Sequence, residues 1–221
     1  MSKKNKRNMR QVWQSMFPPQ AKRFLDIGCG QGKMTQYLVD DGKEVVGIEV
    51  DAKDAAIAQK YLSKVIIGSA ENIQLSYPSE YFDCILYGGV IGAFYNPLET
   101  LKLHGNYLKD GGHVLAHVPN LRYYKTITML TFKGTWDYMP HGILYHYYIR
   151  HFTWTTIKEL FEALGYKIVA VEKNMRANGF LKFLNIILFG LLEEFLVYEY
   201  YIKAVKDAGA SKTVQRKKET F

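Results

Sequence analysis

The stretch RFLDIGCGQGKMTQYL, residues 23–38, limits what this chain can fold into more than any other part of it. Residues 23–27 form a short apolar run that stops at Gly28-Cys29-Gly30-Gln31-Gly32. Glycine lacks a Cβ, so glycines at alternate positions let the backbone approach a ligand at angles that a side chain forbids. Beyond the turn, Met34, Tyr37 and Leu38 share one face of a helix. Residues 45–50, VVGIEV, are continuous and largely β-branched, as in a strand buried on both faces. Glu49 stands near its end, 19 residues after Gly30. An acidic side chain about 20 residues past such a turn is placed to hold ribose hydroxyls at the carboxyl edge of a parallel sheet.

The rest of the chain keeps the same rhythm. Asp51 caps a predicted helix over 52–62, and 64–67 and 82–87 read as short strands. A helix over 98–108 leads through Asp110-Gly111-Gly112 into a strand over 113–118, closed by Pro119. Thr153 caps a helix over 154–164 that Gly165 ends, and a strand over 166–172 follows. A helix over 180–192 is expected to pack on the sheet before a last strand over 196–205. The last two strands read as a hairpin with a long connection, which makes the final one antiparallel. Strands alternating with helices predict an α/β fold, a mostly parallel seven-stranded sheet with helices on both faces. Residues 121–152 break the pattern. They are rich in Trp and Tyr (Trp136, Tyr138, Tyr145, Tyr147, Tyr148) and read as an insert or lid. The expected organisation is a basic tail and cap over 1–20, one domain over 21–206, and a disordered basic tail over 207–221.

Charge and cysteine usage exclude several functions. The net charge of +8 suggests nucleic acid until it is located. Residues 1–10 supply five positive charges and 211–221 a net three, so the body between them is balanced. A basic groove tracking phosphates is not expected, and neither is a nucleic-acid partner. Cys29 and Cys84 lack metal-ligand spacing, and the histidines of 141–151 lack a carboxylate at ligand spacing, so no metal is expected. The charged start has no apolar run behind it, so a reducing cytoplasm is the expected setting. The longest apolar run, Phe183 to Leu192, contains Asn185 and is far shorter than the roughly 20 residues that span a bilayer. Weak peripheral membrane contact through the tails or the 180–192 helix is compatible with this.

The choice of cofactor rests on detail. The dinucleotide fingerprint GxGxxG has Lys33 where its third glycine belongs, which disfavours NAD. No GxxxxGK[ST] is present, which removes the P-loop enzymes. The run FLDIGCGQGKMTQYL resembles the first motif of class I S-adenosylmethionine-dependent methyltransferases. VVGIEVD, GSAENI, SEYFDCILYGG and LKDGGHVLAHVPN follow in the order of that family, across about residues 20–120. The stretch from GTWDY to FEALGY resembles the group that often modifies sugars, quinones and other small metabolites. The resemblance implies a Rossmann-like fold, S-adenosylmethionine as cofactor and S-adenosylhomocysteine as product. It gives Asp26 and Gly28, Cys29, Gly30, Gln31 and Gly32 the methionine end, and Glu49 with Val50 the ribose side. Ser69, Ala70 and Glu71 would flank adenine, with Tyr87 and Gly88 near the sulfonium. Two departures stand out. Ser69 replaces a common Asp, and Ile91-Gly92-Ala93 replaces a Leu-Glu-His stretch.

Methyl transfer from a sulfonium is an in-line displacement, so a base is needed only when the acceptor is a hydroxyl or a protonated amine. The candidates are His117, at the end of the fifth strand, and His141, His146, Tyr148 and His151 in the insert. In relatives the positions matching Tyr148 and Tyr145 are often His and Asp, so a catalytic His–Asp pair does not carry over. Relatives that methylate adenine or glutamine use [DN]PP[YF], which Tyr95-Asn96-Pro97-Leu98 does not match. The expected activity is O-methylation of a small molecule such as a saccharide, with the insert closing over the acceptor. The alternatives are an RNA- or protein-modifying methyltransferase and a non-catalytic cofactor-binding homologue.

Overall fold

All seven apolar runs become strands of one sheet. The computed structural model describes residues 9–207; residues 1–8 of the tail and cap expected over 1–20, and 208–221 of the tail expected over 207–221, lie outside it. The strands are β1 (Arg23–Ile27), β2 (Glu44–Glu49), β3 (Lys64–Ile67), β4 (Phe82–Tyr87), β5 (Leu108–Pro119), β6 (Tyr166–Met175) and β7 (Val197–Lys206). Their order is β3-β2-β1-β4-β5-β7-β6, and β7 alone runs against its neighbours. This is the expected Rossmann-like α/β sheet. The order reverses between β1 and β4, which opens a crevice at their carboxyl ends.

Among the described residues eight α-helices surround it: α1 (Met9–Met16), α2 (Gln36–Asp40), α3 (Ala52–Ala58), α4 (Pro97–Gly105), α5 (Tyr124–Thr128), α6 (Trp154–Ala163), α7 (Gly179–Ile187) and α8 (Glu193–Leu196). Leu25, Ile48, Ile85 and Val114 pack on one face with Leu101, Ile157 and Phe161 of α4 and α6. Phe24, Val45, Leu86 and Leu115 pack on the other with Trp13, Met16, Ala55 and Ala58. Each fully buried Phe or Leu contributes about 1.5–3 kcal/mol relative to exposure. The caps are as predicted. Asp51 accepts from the amides of Lys53 and Asp54, and Thr153 forms a capping box with Thr156.

Some boundaries differ for local reasons. The helix from Asp51 ends at Ala58, and α4 ends at Gly105 because β5 already pairs with β4 at Leu108. Part of the expected N-terminal tail is α1, tied down by Trp13 and Met16. The helix expected over 180–192 is cut by Phe189 and Gly190, both at positive φ. Its first part, α7, buries no residue against the sheet, contrary to expectation.

Candidate active site

The glycine turn is fastened to β2 from two directions. The amides of Gly28 and Cys29 donate to the Ile48 carbonyl at 2.9 and 3.1 Å. Glu49 Oε2 accepts from the Gly30 amide at 2.8 Å, and Oε1 from the amides of Val50 and Asp51, each at 2.9 Å. Gly30 has φ +53°, and a Cβ built there meets nothing within 4 Å, so this backbone faces open space. Beneath it Asp26 is buried and accepts from Thr35 Oγ1 at 2.7 Å. Burial pushes its carboxyl up to about 6; the Thr35 bond opposes this and the Glu49 charge adds to it. Gln31 donates to Asp54 at 2.9 Å, and Cys29 is buried, its thiol pushed up by burial. Val50, just past β2, is 69% exposed, an apolar side chain in the open at the sheet edge.

Across the crevice lies a group of polar side chains on a buried floor. His117 of β5 shares a hydrogen bond with Glu199 of β7, Nε2 to Oε2 at 2.9 Å, and both are buried. Glu199 also accepts from Asn174 at 2.6 Å and from the Tyr201 hydroxyl at 3.2 Å, with Arg176 at 3.5 Å. Burial opposes its ionisation, yet His117, Asn174 and Arg176 together hold the carboxyl down at about 2. The other ring nitrogen, Nδ1, faces the loop after β4: a Cβ on Gly89, which has φ +90°, would lie 3.0 Å from it. The same Cβ would lie 3.2 Å from the Tyr148 hydroxyl, which donates to the Gly89 carbonyl at 2.7 Å. The ends of β4, β5 and β7 therefore meet the aromatic insert at one place, and only glycine leaves room there.

Residues 1–171 match a family model described as "Methyltransferase domain". The chain belongs to the S-adenosylmethionine-dependent methyltransferase family. Its members' cofactor is S-adenosylmethionine, as the sequence motifs implied. A ubiquinone biosynthesis O-methyltransferase of Cereibacter sphaeroides is 27% identical over 131 residues, which cover 57% of this chain and 53% of the relative. The chain spans about half the length of the curated relatives it matches. A SAM-dependent methyltransferase from Archaeoglobus fulgidus superposes with a TM-score of 0.66 at 18% identity, covering 89% of this chain and 90% of that one. A second, from Thermotoga maritima and titled a possible histamine N-methyltransferase, gives 0.65 at 20% identity and covers 90% and 87%. One title names an oxygen acceptor and the other a nitrogen acceptor, so the shared fold leaves the accepting atom to the site itself.

Within this methyltransferase the expected site residues separate. Gly28, Gly30, Glu49, Val50 and Gly88 border the crevice, whereas Gly32 is buried, and a Cβ there would meet Leu62 at 3.1 Å and Ala58 at 3.3 Å. The Tyr87 side chain does not: it is buried in the core with its hydroxyl 3.1 Å from His104 Nδ1, and only its backbone reaches the edge. Glu71 accepts from the amides of Tyr95 and Asn96 through Oε1, so it pins the loop after β4. Ser69 Oγ accepts from the Glu71 amide, and the Ala70 carbonyl bonds His104. His146 is exposed, its ring 4.1 Å from that of Tyr147 and its Nδ1 3.3 Å from the Met139 carbonyl. His151 lies under Trp136, ring centroids 5.2 Å apart, and burial lowers its pKa. Burial raises the pKa of Tyr148, whose bond to Gly89 makes it a clamp for the loop. Sequence reasoning missed Glu199. Its one signal was a lone carboxylate in the run LVYEYYIKAV.

Proposed function

We propose that the domain over residues 21–206 transfers a methyl group from S-adenosylmethionine to a hydroxyl oxygen of a small molecule, with His117 accepting the proton. S-adenosylmethionine, when bound, supplies an electrophilic methyl group on a positively charged sulfur. The residues fit such a group: open backbone at Gly30, a carboxylate at Glu49 for ribose hydroxyls, and exposed apolar surface at Val50 for a flat base. Asp26, Ser69 and Ala70 support these positions from beneath and beside.

The observation that carries the reading is the His117–Glu199 pair beside Gly89. A carboxylate accepting from Nε2–H fixes the tautomer and leaves the Nδ1 lone pair toward Gly89, at the end of β4. That nitrogen can take the proton of an acceptor hydroxyl, and Glu199 stabilises the resulting imidazolium. A positioned base contributes typically 10²–10⁴-fold, and alignment of acceptor with donor supplies the rest. The pair supplies a histidine–carboxylate arrangement that the insert lacks, which supports a catalytic reading over a non-catalytic one. An insert rich in Tyr and Trp over 121–152 suits a ring-bearing acceptor such as a saccharide or quinone precursor, in keeping with the oxygen-directed name of the Cereibacter relative.

The test is release of S-adenosylhomocysteine against a panel of hydroxylated sugars and phenols. His117→Ala should cut turnover by about 10²–10⁴-fold while cofactor affinity stays unchanged. Glu199→Gln should lower it less and move the pH profile. Equal turnover in wild type and His117→Ala would remove the base from the scheme.

A further inference from the structure

Two apolar surfaces at the carboxyl edge cover nothing. Helix α7 turns Phe180, Phe183 and Ile186 outward at helical spacing, each 60–74% exposed, and Phe189 beyond it is 97% exposed. After α5, the π-helical turn Met129–Lys133 leaves Leu130 and Phe132 exposed. Between α5 and the start of α7 runs a groove of about 520 Å³, lined by Tyr124 and Lys125 on one side and Asn178 and Lys182 on the other. The outer face of a surface helix is ordinarily polar, and an apolar patch this size marks an interaction surface.

Charge selects the partner. Residues 173–192 carry Lys173, Arg176 and Lys182 and no carboxylate; residues 121–136 carry Arg122, Lys125 and Lys133 and none either. Arg122, Lys173 and Arg176 are paired with Glu194, Glu193 and Glu199. Lys125, Lys133 and Lys182 make no ion pair among the described residues. Apolar side chains ringed by unpaired lysines match the boundary between acyl chains and anionic headgroups.

We propose that α7 and the 129–133 turn seat this protein on an anionic membrane surface, with the groove between α5 and α7 facing the phosphate headgroups. A second copy of the chain suits this face less, because a two-fold contact would set like cations against each other. No helix among the described residues is long and apolar enough to cross a membrane, so the contact lies in the interface.

Flotation of the full chain with vesicles tests this, using phosphatidylcholine alone or with about a third phosphatidylglycerol. Binding should require the anionic lipid and weaken with salt. Phe183→Asp should reduce it by roughly tenfold or more, and Lys125→Glu and Lys182→Glu by about fivefold each. Phe183→Trp provides a second measurement that needs no disruptive change: its emission should shift to the blue on anionic vesicles. Absence of flotation with the anionic vesicles overturns the proposal, as does an emission spectrum that stays fixed while the protein floats. A concentration-dependent dimer that Phe183→Asp abolishes would assign the face to a second copy instead. None of these readouts involves methyl transfer, so they stand or fall apart from the function proposed above.

Discussion

The half of the sheet from β3 to β4 and the half from β5 to β6 solve different problems with different materials. The first half works through backbone: a glycine turn open at Gly30, fastened to β2 by the Ile48 carbonyl and by the Glu49 carboxylate, which accepts from three amides. The second works through side chains drawn from distant places, His117, Asn174 and Glu199, with Tyr148 closing over Gly89. A backbone site needs small residues in a fixed local order, whereas a side-chain site needs only the right atoms to arrive. The cofactor half is therefore a motif, and the acceptor half is an assembly.

Substitutions can break this contrast. After His117→Ala, the largest effect is expected at Glu49→Ala. Charge-assisted bonds of this type contribute about 1.5–3 kcal/mol, so affinity for S-adenosylhomocysteine should fall roughly ten- to hundredfold by titration calorimetry. Because Glu49 also fastens the turn, the midpoint of thermal unfolding should fall as well; a normal affinity would make it a surface charge. In the other half, Trp136→Ala should lower turnover by up to about 10²-fold through loss of alignment, with cofactor affinity intact. Tyr148→Phe removes one hydrogen bond to the Gly89 carbonyl, a loss of about 1 kcal/mol, and should be the milder of the two in the same assay. If both variants lose cofactor affinity and melt early, the insert is core and the two halves are not separable.

The smallest and sharpest comparison is in acid. Glu199 sits at about 2 in the folded protein against an ordinary 4.5, so its contribution is present above pH 4.5 and lost as pH falls toward 2. Asp26 has the opposite sign. Raised to about 6 from 3.8, it lets the folded protein hold its proton longer, so stability is fullest below 3.8 and declines as pH rises through 6. Urea unfolding across pH 2–7 should show Glu199→Gln flattening the acid limb and Asp26→Asn flattening the decline from about 4 to 6. The same slope in all three proteins would show that neither carboxyl is tuned by its surroundings.

The cofactor half was legible because its signals are local. Short apolar runs, alternate glycines and an acid at a set distance all lie within residues 23–51, and Thr153 announced its helix in the same way. The acceptor half was not, because His117 and Glu199 are 82 residues apart and are joined only by the antiparallel pairing of β5 with β7. Tyr87 and Glu71 carried the right residue types at the right spacing, yet packing turned one into the core and the other onto a loop. The helical period of 180–187 was readable, but a period cannot say which face meets the protein. There the usual rule was reversed.

The place of β7 between β5 and β6 has a consequence in time. Synthesis makes β5 and then β6 well before β7, but the sheet order leaves a gap between them that only β7 fills. Until it slides in, β6 has no neighbour and His117 has no carboxylate. The His117–Glu199 pair thus cannot form until Glu199 has been made, after every residue of the glycine turn and Glu49. A nascent chain can complete its glycine turn early, but it gains its imidazole–carboxylate pair only when the sheet is whole.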